Sequence, residues 1–264
     1  MADIESSVDL GVIGVGSLAE AIITGLCEEH GTAPSILLSP RSRSRSRAIA
    51  SRYPSVRVAE DNQSVVHQSN VILLTMRPQD AAAALRDIVF SPGQAVISAM
   101  AGVPVARLCE LAAPSSRLAR VIPLPAVASR QGLTAIYPAG HEAQALFDRL
   151  GSTITVEDEE ALEALSASTA TIAAHFAYLA TVSRWLTAQG IRKADAARYV
   201  AATFASLAET LSTPPADLMT LAEAYATTGG INEQFYTSLR NAGVFQAVER
   251  SLDQIAARLL RQQP

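Results

Sequence analysis

A glycine-rich stretch at residues 11–19 carries the most specific chemical signal in this sequence. It follows a short apolar run and precedes apolar residues at helical spacing, so a strand, a glycine turn and a helix are expected in succession. Gly14, Gly16 and Ala19 match the pattern G-x-G-x-x-G/A, whose first glycine permits a tight turn and whose second lets the backbone approach a pyrophosphate. The helix N-terminus adds unpaired N–H groups and the positive end of a dipole. We therefore expect a dinucleotide to contact Gly14, Gly16, Ser17 and Leu18.

The residues after the second predicted strand indicate which dinucleotide this is. That strand ends at Ser39, and no Asp or Glu follows for the next 20 residues, whereas NAD-binding proteins place an acid there for the ribose 2′-hydroxyl. Arg41 and Arg43 offer planar guanidinium groups that suit a 2′-phosphate. We predict NADPH rather than NADH, with Ser39 and Arg41 at the 2′-phosphate. The alternative is that the arginine–serine run is a solvated helix face, which we expect for Arg45 and Arg47.

The pattern of predicted secondary structure changes after residue 156. Up to that point short β-rich runs alternate with helix-length segments, which predicts right-handed βαβ units and a doubly wound, mostly parallel α/β sheet of the Rossmann type. We therefore predict a dinucleotide-binding Rossmann domain at 1–156 and an all-helical dimerisation and substrate domain at 157–264. The predicted strands are Val8–Ile13, Ile36–Leu38, Val56–Val58, Val71–Thr75, Ala95–Ser98, Leu118–Ile122, Leu133–Tyr137 and Thr153–Val156.

The second domain is predicted to be helical because residues 157–264 hold 24 alanines and no convincing strand. An all-helical half this rich in small and apolar residues is expected to pack against a second copy of itself, so a homodimer is predicted. A monomeric helix bundle is the alternative. The predicted helices cover residues 161–189, 193–211, 215–226, 231–242 and 244–260.

Bulk composition excludes several classes of protein. The chain has 264 residues, 49% of them hydrophobic and 17% charged, and a net charge of −4, which argues against a nucleic-acid or anionic-membrane binder. No run of about 18 apolar residues and no basic leader is apparent, so we expect a cytoplasmic protein rather than a membrane or secreted one. Cys27 and Cys109 form no spaced pair, and the four histidines are far apart, so we expect two buried, reduced thiols, no disulfide and no metal site.

Four stretches resemble motifs of the pyrroline-5-carboxylate reductase family. They are G-V-I-G-V-G-S-L-A-E-A-I-I-T-G-L at 11–26, I-L-L-T-M-R-P-Q at 72–79, V-I-S-A-M-A-G-V at 96–103 and A-R-V-I-P at 119–123. The resemblance covers nearly the whole chain. It implies a Rossmann domain, a helical dimerisation domain, and hydride transfer from a nicotinamide to a C=N bond. It also implies cofactor contacts from the ends of strands four and five, at Met76, Arg77, Pro78 and Ala99.

The sequence departs from the family on the substrate side. After Pro123 the family's Asn-Thr-Pro becomes Leu124-Pro125-Ala126, and its Ser-Gly-Ser-Gly-Pro-Ala-Tyr becomes S-A-S-T-A-T-I at 166–172. Its Thr-Ser-Pro-Gly-Gly-Thr-Thr becomes A-T-T-G-G-I-N at 226–232, with alanine in place of a substrate-contacting threonine. We infer an NADPH-dependent reductase of an imine or carbonyl on a small carboxylated molecule, with a changed substrate. The alternatives are a genuine pyrroline-5-carboxylate reductase of proline biosynthesis and a non-catalytic NADP-binding sensor or subunit.

Polar residues on the predicted helix 161–189 are candidates for proton transfer. Ser168, Thr171, His175 and Tyr178 are spaced to share one helix face, and histidine can donate or accept a proton near neutral pH. Ser168 also aligns with a family serine. We predict Ser168 and His175 as catalytic residues and Thr171 as a substrate contact. The alternatives are a buried histidine bonded to a backbone carbonyl or to a partner subunit, and a tyrosine that belongs to the core.

A glycine pair before a predicted helix is the candidate site for the substrate carboxylate. Gly229 and Gly230, followed by Asn232, can present backbone N–H groups at the start of that helix. Asn232 is both a possible helix cap and a possible ligand contact. A plain inter-helix turn is the alternative.

Overall fold

The computed structural model describes residues 8–28, 33–212 and 217–261. By its contacts the chain divides into two compact units. One holds the chain up to Ala167 together with the residues from Ala256 onward, and the other is Ser168–Ile255. The division of function after residue 156 remains a prediction, whereas the contacts place the first helix after that point with the sheet.

The first unit contains an eight-stranded sheet in the order β3-β2-β1-β4-β5-β6-β7-β8. Neighbouring strands are parallel except β6 and β7, which are antiparallel. Every predicted strand is present within two residues at either end, and the predicted Rossmann fold class is confirmed. The strands are β1 (Val8–Ile13), β2 (Ile36–Leu38), β3 (Val56–Val58), β4 (Ser69–Leu74), β5 (Ala95–Ser98), β6 (Arg117–Ile122), β7 (Gly132–Tyr137) and β8 (Gly151–Thr155).

Helices cover both faces of this sheet because alternate strand residues point to opposite sides. Val12 of β1 packs with α1, α2 and α6 in one apolar core, whereas Ile13 packs with α3, α4 and α5 in a second core. The helices of this unit are α1 (Ser17–Cys27), α2 (Arg43–Arg52), α3 (Asn62–Gln68), α4 (Pro78–Leu85), α5 (Val105–Leu111), a 3-10 helix (Pro125–Ser129), α6 (His141–Asp148) and α7 (Glu159–Ser168).

A buried arginine joins α7 to the sheet. Arg120 of β6 is only 2% exposed, and its guanidinium lies 2.7 Å from the Glu159 carboxylate and 2.5 Å from that of Glu163. Glu159 also accepts the backbone N–H of Val105 at 2.7 Å. These charge-assisted bonds link α7 to β6 and α5, which explains why the first unit extends to Ala167.

The second unit is helical, but two predicted helices are interrupted. The single helix expected over 161–189 is wrong: a turn at Thr169 and Ala170 separates α7 from α8, and the Thr171 hydroxyl donates to the Ser168 carbonyl at 2.7 Å. Ser206 likewise separates α9 from α10, and the predicted start of α11 at 215 lies outside the described residues. The helices are α8 (Thr171–Ala188), α9 (Lys193–Ala205), α10 (Leu207–Ser212), α11 (Met219–Tyr225), α12 (Ile231–Asn241) and α13 (Val244–Arg261).

One stretch of the described chain, Glu159–Ala188, is long and apolar enough to cross a membrane by length and composition alone. It is not an unbroken apolar run, because it contains charged and polar residues such as Glu163, His175 and Arg184. The stretch is divided by the turn after Ser168, and its first helix carries the two glutamates that bind Arg120. Its apolar surface lies on α8, where Phe176 and Trp185 are more than 60% exposed.

Loss of the Arg120 guanidinium should destabilise the protein severely. Arg120→Ala leaves the Glu163 carboxylate, itself 1% exposed, without its cation, which costs about 3–5 kcal/mol of unfolding free energy. The matched control is Arg107→Ala, because Arg107 pairs with Glu110 at the protein surface, and it should cost less than about 1 kcal/mol. Urea unfolding measures both. Equal losses in the two variants would contradict the structural role of the buried pair.

Candidate functional site

The glycine turn after β1 has the geometry that the sequence predicts. Gly14 has a φ of +97°, and a Cβ there would lie 2.4 Å from the backbone nitrogen of Met76. A Cβ on Gly16 would meet nothing within 4 Å, so open space lies in front of it. Helix α1 begins at the next residue, Ser17, and Ala19 is completely buried beneath the turn. The turn therefore combines close backbone packing on one side with room for a ligand on the other.

Three hydroxyl groups hold this turn in place. The Thr75 hydroxyl donates to the Gly14 carbonyl at 2.7 Å, and the Gly14 N–H donates to the Ser39 hydroxyl at 3.1 Å. Ser46 in turn donates to the Ser39 carbonyl at 2.9 Å. Ser39 is 1% exposed, so its hydroxyl serves the turn, and its predicted contact with a 2′-phosphate stays a prediction. Sequence reasoning missed Thr75 and Ser46, because neither belongs to the glycine motif.

Arginines lie on both sides of the turn. Arg41 extends from the end of β2, with its guanidinium 3.8 Å from the carboxylate of Asp80. Arg45 donates to the Ser17 hydroxyl at 3.3 Å and lies 3.6 Å from Glu20. Arg45 is exposed, as expected for a solvated helix face, and helix α2 directs it toward the first turn of α1. Arg47 is exposed, as expected.

The remaining predicted cofactor residues gather at the same edge of the sheet. Met76, Arg77 and Pro78 follow β4, and Ala99 follows β5, where its N–H donates to the Leu74 carbonyl. In open α/β sheets, ligands bind outside the carboxyl ends of the strands. The structure thus brings all the predicted cofactor residues to the carboxyl edge, at Gly14, Gly16, Ser17, Leu18, Ser39, Arg41, Met76, Arg77, Pro78 and Ala99.

The predicted catalytic residues lie in the helical unit and do not share one helix. Ser168 is the last residue of α7, whereas Thr171 is the first of α8 and His175 lies one turn further on. His175 is exposed and makes edge contacts with Phe176 and Phe204, with ring centroids 5.9 and 6.3 Å away. Within the described ranges its ring makes no hydrogen bond to a carbonyl of its own chain, and the alternative of a contact with a partner subunit stays open.

Thr171, His175 and Tyr178 line a groove of about 810 Å³ between α8 and α13. Most of the groove's other lining is apolar, including Phe176 and Val248. Tyr178 is 40% exposed and contacts the Phe204 ring edge-on at 5.9 Å. The polar residues therefore stand on a mainly apolar surface of the helical unit.

The glycine pair is already engaged in internal hydrogen bonds. Gly229 has a φ of +76°, and its N–H donates to the Glu233 carboxylate at 2.7 Å. The Gly230 N–H donates to the Thr227 carbonyl at 2.8 Å. The Asn232 side chain donates to the Tyr225 carbonyl at 3.1 Å, so it joins the turn to α11 rather than capping α12. A substrate carboxylate would have to use the following N–H groups of α12 or displace Glu233.

The interpretation of both cysteines as buried thiols is wrong, because Cys27 is only partly buried and Cys109 is exposed. The Cys27 sulfur lies 3.8 Å from the Ser55 hydroxyl, and burial raises the pKa of this thiol, which makes it less reactive. Both cysteines are free. Among the residues that the structure describes, no group of three or more His, Cys, Asp or Glu side chains is arranged to hold a metal ion.

Each half of the chain matches a known protein family. Residues 9–102 match the family described as NADP oxidoreductase, coenzyme F420-dependent, and residues 159–261 match pyrroline-5-carboxylate reductase dimerisation. A pyrroline-5-carboxylate reductase of Vibrio alginolyticus is 24% identical over 261 residues, which cover 94% of this chain and 95% of the relative.

Solved structures show the same fold over nearly the whole length. The 1-pyrroline-5-carboxylate reductase of Streptococcus pyogenes has a TM-score of 0.82 at 24% identity, with 97% of this chain and 99% of that chain covered. The Plasmodium falciparum pyrroline carboxylate reductase, solved with NADP bound, has a TM-score of 0.81 at 14% identity, with 98% and 99% covered.

A glycine turn at the carboxyl edge of a mostly parallel sheet, followed by a helical unit, defines a Rossmann-type dinucleotide-binding protein with an appended helical domain. Its second half carries the pyrroline-5-carboxylate reductase dimerisation domain. The chain belongs to the pyrroline-5-carboxylate reductase family, and the resemblance drawn from its sequence motifs is confirmed.

The two glycines of the turn should respond differently to alanine. Gly16→Ala keeps an ordinary φ of −108° and meets open space, so the unfolding free energy should change by less than about 0.5 kcal/mol. Its Cβ occupies the space in front of the turn, so NADPH binding should weaken by about tenfold or more. Gly14→Ala should instead cost about 1–3 kcal/mol of stability, because of its left-handed φ and the Met76 contact.

Isothermal titration calorimetry measures NADPH binding by both variants, and urea unfolding measures their stability. Together the two measurements separate the effect on binding from the effect on stability. Unchanged NADPH binding by a folded Gly16→Ala variant would contradict the placement of the dinucleotide at this turn.

Proposed function

We propose that this protein is an NADPH-dependent oxidoreductase that transfers a hydride to the C=N or C=O bond of a small carboxylated substrate. The single observation that carries the proposal is the intact glycine turn at the carboxyl edge of the sheet, with open space at Gly16. Family membership supports reduction of a CH–NH type substrate, because the curated relatives are pyrroline-5-carboxylate reductases. The cofactor supplies the hydride when bound, and the protein binds and orients it.

The residues around the end of β2 fit NADPH. Arg41 and Arg45 offer guanidinium groups on two sides of the turn, and β2 ends without the acid that an NAD site places there. Ser39 holds the turn from below and supports its shape. The related Plasmodium structure, which contains NADP, agrees with this assignment.

Ser168 and His175 are the proposed proton sources for the reduced substrate. His175 is exposed, and a histidine side chain is suited to donate or accept a proton in catalysis. Thr171, Gly229, Gly230 and Asn232 are proposed to contact the substrate, with the N–H groups at the start of α12 facing its carboxylate. The internal bonds of Gly229 and Asn232 make this part of the site more rigid than a plain loop.

The substrate is proposed to be more apolar or larger than pyrroline-5-carboxylate. Apolar groups replace polar or special backbone groups of the family motifs at Leu124, Pro125, Ala126, Ile172 and Ala226. A site that hydrogen-bonds its substrate loses strongly when the bonding groups are missing, so this chain cannot hold the family's substrate in the same way. The second candidate function is genuine pyrroline-5-carboxylate reduction, which the two curated relatives favour.

The proposed assembly is a cytoplasmic homodimer formed through the helical unit. The dimerisation-domain match supports it, as do the exposed apolar side chains of α8, such as Phe176 and Trp185. Large exposed apolar patches on a folded chain mark interaction surfaces. Light scattering at micromolar concentration should return twice the mass of one chain. A mass of one chain would contradict the assembly.

Removal of the Arg41 guanidinium should affect NADPH selectively. A charge-assisted contact to phosphate contributes roughly 1.5–3 kcal/mol, so Arg41→Ala should weaken NADPH binding about 10- to 150-fold and leave NADH binding nearly unchanged. Arg47→Ala is the matched control, since it removes an exposed arginine of the helix α2 that follows Arg41. Titration of both dinucleotides measures this. Equal or tighter binding of NADH by the unmodified protein would refute the cofactor assignment.

Oxidation of NADPH, followed by its absorbance across a panel of cyclic imines and 2-keto acids, tests the reductase assignment. A protein that binds NADPH but oxidises it with no compound would be the non-catalytic sensor or subunit instead. On the best substrate, Ser168→Ala and His175→Ala should lower turnover while NADPH affinity stays nearly constant, and Ser183→Ala, on the same helix as His175, should change neither. Full activity of both variants would refute their proposed roles.

A further inference from the structure

The carboxylate of Asp80 lies between two arginines of the predicted cofactor site. One carboxylate oxygen is 3.8 Å from the guanidinium of Arg41, and the other is 3.3 Å from that of Arg77. Asp80 is 25% exposed in its side chain, whereas Arg41 and Arg77 are 63% and 75% exposed. The acid is thus the more fixed member of the group, and the two arginines extend toward it from solvent.

The topology places this charge group over the glycine turn. Arg41 follows β2, Arg77 and Asp80 follow β4, and both strands pair with β1, which ends at the turn. The pair between Arg41 and Asp80 therefore crosses the carboxyl edge at β1, where open α/β sheets bind their nucleotide. Asp80 stands in the first turn of α4, where the helix dipole favours a negative charge.

A carboxylate in this position disfavours binding of a phosphate but not of a neutral hydroxyl. A phosphate monoester carries a charge of about −1.5 to −2 at pH 7, so the Asp80 carboxylate repels it and also competes with it for Arg41. The ribose 2′-hydroxyl of NADH carries no charge and meets neither penalty. The effect on binding should therefore differ between the two dinucleotides.

We propose that Asp80 sets the degree of NADPH preference by competing with the 2′-phosphate for Arg41. This inference rests on the proposed NADPH-dependent function and names the residue that tunes its selectivity. Sequence motifs do not point to Asp80, because the acid that NAD sites use comes from the end of the second strand rather than from the helix after the fourth.

The test compares Asp80→Asn with Asp87→Asn, which removes the same charge just beyond the other end of α4. Titration with NADPH and NADH at low ionic strength gives the dissociation constants. We expect Asp80→Asn to bind NADPH about 1.4- to 5-fold more tightly, the range of one exposed ion pair, with NADH binding unchanged. Asp87→Asn should behave as the parent. In an Arg41→Ala background the gain from Asp80→Asn should vanish.

Equal or weaker NADPH binding by Asp80→Asn would overturn the proposal, as would an equal gain for NADH, for Asp87→Asn, or in the Arg41→Ala background. Failure of the underlying function has a different signature. A parent protein without preference for NADPH refutes the cofactor assignment, whereas a parent that prefers NADPH, with Asp80→Asn unchanged, refutes only the role of Asp80.

Discussion

The close approach of two backbone segments at the end of β1 is the constraint on which the predicted cofactor site at the carboxyl edge of the sheet depends. Gly14 faces the backbone of Met76 at a distance that no side chain fits, so the turn can pass directly over the start of the β4–α4 connection. Hydrogen bonds from Thr75 and to Ser39 then tie the turn to the two strands that flank β1. This arrangement fixes the N-terminus of α1 at the carboxyl edge of the sheet.

Much of this architecture can be predicted from the sequence, because the strands are short β-rich runs separated by segments of helical length. The glycine motif identifies the turn through local spacing alone. The break after Ser168 cannot be predicted in this way, since the sequence S-A-S-T-A-T contains no glycine or proline and the turn depends on the Thr171 hydroxyl. The contacts of Arg45 with Ser17 and of Thr75 with Gly14 join residues 28 and 61 positions apart, so no local pattern reveals them.

The two halves of the chain differ in how many motifs of the pyrroline-5-carboxylate reductase family they keep. The residues after β1, β4 and β5 keep the family's motifs. The substrate-side motifs have exchanged polar groups for apolar ones, as at Leu124 and Ile172, and the glycine pair before α12 is bonded within its own turn. We propose that retained cofactor motifs combined with altered substrate-side motifs change the substrate while the reaction type persists.

Steady-state NADPH oxidation with pyrroline-5-carboxylate, compared with a larger and more apolar cyclic imine, tests this account most directly. The quantity to compare is kcat/KM for the two substrates at the same NADPH concentration. We expect weak or absent turnover of pyrroline-5-carboxylate and a clear preference for the apolar imine. Turnover of pyrroline-5-carboxylate at an ordinary enzymatic rate, on the order of 10 per second, would contradict it.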